Sequence, residues 1–99
     1  MYKIAYADSV IDDLMVLPAS ERSLILDKID EQLLHQPATT TRAKKVIVGM
    51  NPTWEHVEPI WQLRIQEYRV FYDVDERRQE VVVRAIRHKP PHKTTEEIL

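Results

Sequence analysis

Residues 61–89, WQLRIQEYRVFYDVDERRQEVVVRAIRHK, most constrain what this chain can fold into. They hold three extended runs with almost nothing between them, and the runs at 68–74 and 81–88 are rich in Val, Ile, Tyr and Phe, which suit a pleated, half-buried surface. A meander of three antiparallel strands is the natural reading. Gln66-Glu67 joins the first two runs and Asp75 to Gln79 joins the second pair, both within hairpin length. Neither connector has an Asn-Gly or Asp-Gly pair, so hairpins are predicted without a dictated register.

Upstream, YKIAYA at 2–7 is short enough for one strand. Ser9 then offers an N-cap, with Asp12 as a weak capping-box partner, and Val10, Ile11, Leu14 and Met15 are expected to form the buried side of a short helix that Pro18 stops. A second helix is predicted from Ala19 or Ser20 to His35. Ile25, Ile29 and Leu33 recur four apart, Leu26 and Leu34 broaden that stripe, and charged residues hold the other sides. The apolar stripe needs a sheet, so the expected fold class is α+β: an N-terminal strand and a helical hairpin laid on one face of an antiparallel sheet. Burying four Leu or Ile side chains there contributes roughly 6–12 kcal/mol before ordering entropy is subtracted.

Residues 36–60 contain a Thr run, three prolines, the only Gly and the short apolar run Val46-Ile47-Val48. Complete disorder would leave Trp54, Val57 and Ile60 wet, so an ordered loop wrapping one sheet edge is expected, with a small strand at the apolar run. After Pro90-Pro91, a Thr cap and early Glu residues permit one helical turn ending in Ile98-Leu99.

At 99 residues the chain has room for one core, hence one domain over 1–99. It has no Cys, which excludes disulfides, thiolate metal sites and cysteine nucleophiles. No apolar run approaches the roughly 20 residues of a membrane span, so no membrane partner and a cytoplasmic location are expected. The net charge of −2 divides unevenly: residues 1–38 carry seven acids against three bases, and residues 39–99 carry nine acids against eleven bases. A basic site on a mildly acidic molecule is permitted.

Alternation across the sheet places Leu63 and Ile65 on one face and Gln62 and Arg64 on the other, and opposes Val70, Tyr72 and Val74 to Arg69, Phe71 and Asp73. With the apolar sets under the helices, Arg64 and Arg69 fall on the uncovered face. In the last run Arg84, Ile86 and His88 share a side, and Arg87 and Lys89 leave near the strand end. Lys44 and Lys45 are placed to reach the same rim. Such a cluster suits a polyanion, because a guanidinium holds a phosphate by two parallel hydrogen bonds. His88, with an unperturbed pKa of about 6.5, is the one strand residue able to exchange a proton near neutral pH. A phosphodiester between Arg69 and His88 would support attack by a ribose 2′-hydroxyl, with His88 protonating the leaving 5′-oxygen and Glu58, Glu55 or His56 as base. The plainer alternatives stay open: Arg69 as a solvated strand residue paired with Asp73 or Glu67, and His88 as an ordinary strand-end histidine. Phe71 is the best candidate for stacking on a base. No metal and no cofactor is expected, since His88 and His92, the only closely spaced pair, are separated by two prolines.

At Tyr68-Arg69-Val70-Phe71-Tyr72-Asp73-Val74-Asp75 the chain resembles the RelE/ParE superfamily of toxins from type II toxin–antitoxin systems. The order of elements agrees along nearly its whole length, from the strand at 2–7 through the Lys44-Lys45 loop and Leu63-Arg64-Ile65 to Ala85-Ile86-Arg87-His88-Lys89. The resemblance implies a RelE-like fold with a short C-terminal helical turn and a cognate antitoxin as partner, in a homodimer or a toxin–antitoxin hetero-oligomer. RelE-like members cleave mRNA in the ribosomal A site, so a metal-independent endoribonuclease is implied. ParE-like members instead poison DNA gyrase, and a relative that mainly binds its antitoxin is a third reading. The catalytic positions implied are Arg69, Arg64 and His88, with Lys89 where RelE has a catalytic arginine. Lys44, Lys45, Arg84, Arg87, Lys89 and Phe71 are then expected to bind substrate, and Glu58 to act as base. Two departures stand out: Gln62 stands where RelE has a lysine, and no aromatic residue follows the last strand.

Overall fold

The computed structural model describes residues 1–99, in the order β1 (Lys3–Tyr6), α1 (Asp8–Met15), α2 (Ala19–Leu33), β2 (Lys44–Ile47), β3 (Ile60–Ile65), β4 (Tyr68–Asp75), β5 (Glu80–His88) and α3 (Thr95–Ile98). The five strands form one sheet in the order β1-β5-β4-β3-β2. The meander over β3, β4 and β5 is antiparallel, as its short connectors require. β1 pairs parallel to β5, because the intervening helical hairpin and β2–β4 carry the chain back to the same end of the sheet before β5 begins. No helix is long and apolar enough to cross a membrane.

The main core lies between the helical hairpin and one sheet face. Val10 and Leu14 of α1 and Ile25, Ile29 and Leu33 of α2 pack on Trp61, Leu63, Ile65, Val70, Tyr72, Val81, Val83 and Ile86. The α2 stripe is therefore buried as its spacing predicts. α1 differs in two respects. It begins at Asp8 with Ala7 as N-cap and no side-chain cap, so Ser9 lies inside the helix. Ile11 and Met15 point outward, 50% and 67% exposed, because eight residues at 100° per residue leave room for only one buried line, here Val10 and Leu14.

Lys44, expected at an open rim, is buried on the helix side. Its ammonium donates to the carbonyls of Gln32 (3.0 Å) and Gln36 (2.7 Å), satisfying the end of α2, whose last turn has no basic residue of its own. Lys45, next in the strand, faces the other way.

The opposite sheet face is less open than the alternation implied. Ile47, Ile60, Phe71 and Ala85 form a second apolar cluster, roofed by Met50 and Trp54 from the long loop and by Ile98 and Leu99 from the C-terminus. Thr94 caps α3 in a capping box with Glu97, and Thr95 donates to Gln62 (3.1 Å). Val57, expected to be covered by this loop, is 59% exposed.

Candidate phosphate-binding cleft

One irregularity decides where the charged residues go. Phe71 pairs with Ala85 and Tyr72 with Val83, so Arg84 is an extra residue bulged out of β5. Beyond it the alternation of β5 is inverted: Val81 and Val83 face the helices, and so does Ile86. His88 shares the side of Ile86. It lies opposite Tyr68, with ring centroids 5.4 Å apart, and its Nε2 meets Glu67 at 3.0 Å. Arg69 pairs instead with Arg87 and faces the other way. The expected convergence of Arg69 and His88 on one hollow is therefore not formed; a single inserted residue turns the end of the strand over.

The bulge also redirects Arg84. Its guanidinium meets Asp73 at 2.7 and 3.4 Å, and Asp73 accepts the Val57 N–H at 3.0 Å, so a closed ion pair stands where a free phosphate ligand was expected. Arg87 is likewise engaged, with Asp13 of α1 at 3.3 Å. Phe71 is fully buried beneath Trp54, 5.7 Å between ring centroids, and has no face for a base. Glu58 is solvent-exposed beside His56, at 3.4 Å, while His56 Nδ1 contacts the Trp54 carbonyl at 2.9 Å. Neither lines the cleft described next.

What the fold does bring together is Arg64, Arg69, Lys45 and Lys89, with Arg42 added from the loop before β2. They line a hollow of about 190 Å³ floored by Gln62 and walled by Thr95. It continues outward into a shallower basin of about 560 Å³ that shares Arg64, Arg69 and Lys89 and reaches Glu67 and Pro91. Arg64 and Arg69 are cross-strand partners, and Lys45 lies across from Gln62. The Arg69 guanidinium donates to the carbonyls of Gln66 (2.8 Å) and Tyr68 (2.9 Å), which hold its head in place without neutralising it. Burial and, second, the Arg64 charge lower its pKa, though an arginine stays protonated through such a shift.

None of these five cations takes part in an ion pair, whereas Lys28, Arg78, Arg84, Arg87 and Lys93 all do. Glu67 is the one carboxylate lining either part of the cleft, and its partner is His88. The site is thus a patch of uncompensated positive charge on a molecule of net charge −2. Fixed guanidinium and ammonium groups suit successive phosphates. Arg42 was absent from the residues singled out in the sequence. Its signal was faint, a lone Arg after a Thr run, because only the pairing of Ala43 with Arg64 across the β2–β3 edge swings that loop to the cleft.

No family model and no curated protein matches the sequence. Solved structures do resemble it. The archaeal RelE–RelB complex from Pyrococcus horikoshii matches with a TM-score of 0.69 at 18% identity over 94% of this chain and 98% of that one. The isolated E. coli RelE toxin matches with a TM-score of 0.66 at 15% identity over 98% and 94%. The intact E. coli RelBE toxin–antitoxin complex gives 0.62 at 18% identity over 93% and 100%. The chain therefore has the RelE fold over nearly its full length.

Proposed function

We propose that this chain is a RelE-type toxin neutralised by a cognate antitoxin, and that its cleft holds messenger RNA on the ribosome for cleavage by transesterification. The observation that carries the reading is the convergence of Arg42, Lys45, Arg64, Arg69 and Lys89 on one hollow without a carboxylate partner. A binding module for an uncharged partner gains nothing from such a cluster. Like charges directly opposed across a sheet are unfavourable, and a polyanion offsets that repulsion.

In the reaction, the 2′-oxygen forms a bond to the adjacent phosphorus, the bond to the 5′-oxygen breaks, and a cyclic phosphate results. Arg64 and Arg69, facing each other across β3 and β4, hold the phosphate oxygens on which charge accumulates, and Lys89 adds a third positive group. The cleft residues contribute position and charge. Proton exchange falls to groups outside the cleft, since His88 faces the helix side and Glu58 stands apart. Such dependence on a larger assembly is in keeping with action on the ribosome.

The test is to add purified protein to a translating extract and map cuts in the message. Wild type should cut within the ribosomal A site and Arg69→Ala should not; equal cutting by both removes the cleft from the mechanism. A second reading, a gyrase-directed inhibitor, draws on another surface, the exposed apolar strip Ile11, Met15 and Val16 at α1. Inhibited supercoiling with intact message, abolished by changes in that strip, would establish it instead.

A further inference from the structure

Five of the polar side chains around the cleft are cations, and cations that hold phosphates do so for any nucleic acid. Gln62 is different. It is neutral, 5% exposed, and sits in the cleft floor between Lys45 of β2 and Phe71 of β4. A buried side-chain amide has to satisfy both ends, and only one end is satisfied inside the protein: Oε1 accepts from the Thr95 hydroxyl at 3.1 Å. In this arrangement the amide oxygen faces α3. With Oε1 committed to α3, the Nε2 donors are left for the cleft.

Thr95 is itself held from both sides. The capping box of Thr94 and Glu97 rigidifies the turn, and Ile98 and Leu99 anchor it on the second apolar cluster. The C-terminal turn therefore belongs to the cleft as the support of the neutral donor in its floor.

We infer that Gln62, oriented by Thr95, donates to a ribose 2′-hydroxyl oxygen of the strand held by the cations and so makes the cleft prefer RNA to DNA. The inference rests on the proposed RNA-binding function of the same cleft and adds a specificity-determining residue to it. A 2′-hydroxyl is the group that distinguishes the two polymers. A donor built to meet it loses its partner when the sugar is deoxyribose, and an unpaired buried donor is unfavourable.

The test is fluorescence anisotropy with single-stranded RNA and DNA dodecamers of one sequence, over a range of salt, with the RNA checked for integrity after each titration. Wild type should bind RNA more tightly. Gln62→Leu should lose about tenfold for RNA and little for DNA, the size of one hydrogen bond. Its slope of log affinity against log salt should not change, because no charge is removed. Thr95→Val, which leaves the sheet untouched, should give a smaller loss in the same direction. Lys45→Ala should instead weaken both polymers and reduce the slope by about 0.7. A wild type that binds RNA with no preference, or variants that keep the wild-type RNA to DNA ratio, would overturn the role of Gln62 while leaving the cleft intact. A wild type that binds neither polymer would overturn the cleft reading and this inference together.

Discussion

Arg64 and Arg69 are direct cross-strand partners in β3 and β4, and neither takes part in an ion pair. Two guanidinium groups placed this way repel, and a sheet selected for stability alone would pair one of them with an acid. A phosphate bound between them, as proposed above, would offset that repulsion.

Function and stability should therefore move in opposite directions at this pair. Arg64→Gln is expected to stabilise the fold by about 0.5 kcal/mol through relief of like-charge repulsion. It should also weaken RNA binding and lower the salt slope by about 0.7. Urea denaturation and binding titrations of the same preparation check the two signs; a loss of stability would mean that Arg64 has a structural partner.

The Asp73–Arg84 pair predicts the reverse. Both side chains are largely covered, at 9% and 16% exposure, and Asp73 also accepts the Val57 N–H. Asp73→Ala leaves Arg84 charged and unpaired, and should cost about 3 kcal/mol. The double replacement Asp73→Leu with Arg84→Met should recover much of that loss. Denaturant midpoints decide it, and a single variant within about 0.5 kcal/mol of wild type would show the pair to be well solvated.

Gln66 occupies the β3–β4 turn with φ of 53°, a conformation in which a side chain is strained. Gln66→Gly relieves that strain but loosens the unfolded chain, and the net gain expected is about 0.5 kcal/mol, or about 2–4 °C in melting temperature. Glu67→Gly, one residue on and at ordinary φ, should destabilise. Thermal melts of the two variants should fall on opposite sides of wild type.

Alkaline pH should unfold the protein. Tyr6, Tyr68 and Tyr72 all titrate above the ordinary value of 10.0, chiefly through burial at Tyr6 and Tyr72 and through the hydrogen bond to Glu21 at Tyr68. Raised folded pKa values mean that the stability these hydroxyls contribute is whole below the unfolded pKa and is lost as pH climbs through the folded values. Lys44, lowered by burial, acts in the opposite sense, but only up to its ordinary value of 10.5. Stability should fall above about pH 10. Tyr72→Phe should flatten that fall, while costing about 1–2 kcal/mol at neutral pH by stranding the Pro37 carbonyl. Denaturant titrations at several pH values would show a steepness unchanged by Tyr72→Phe if the tyrosine were not responsible.

Much of the fold is legible in local pattern. The spacing of Ile25, Ile29 and Leu33 announces the buried side of α2, and unbroken alternation assigns both faces of β3 and β4 correctly, including Arg64 and Arg69. β5 misleads, because period-two reading assumes that no residue is inserted. VVVRAIRH carries no mark of the bulge at Arg84, such as a Gly or a Pro, so Arg84, Ile86 and His88 read as one side when they occupy two. Lys44 and Lys45 show a similar limit: adjacent lysines read as one basic patch, yet a strand sends them to opposite faces and the end of α2 claims the first.

Residue order alone therefore determined the elements, the apolar stripe of α2 and the basic character of the second half, since these depend on nearest neighbours and short periods. Which cations remain free was decided only in three dimensions. A cation is free or engaged according to whether an acid or a carbonyl is carried to it from elsewhere in the chain. Asp73, Asp13 and Gln32 arrive at Arg84, Arg87 and Lys44 through sheet register and helix docking. No acid arrives at Arg64 or Arg69, the carbonyls that hold Arg69 being those of its own turn, and the cleft is what that leaves.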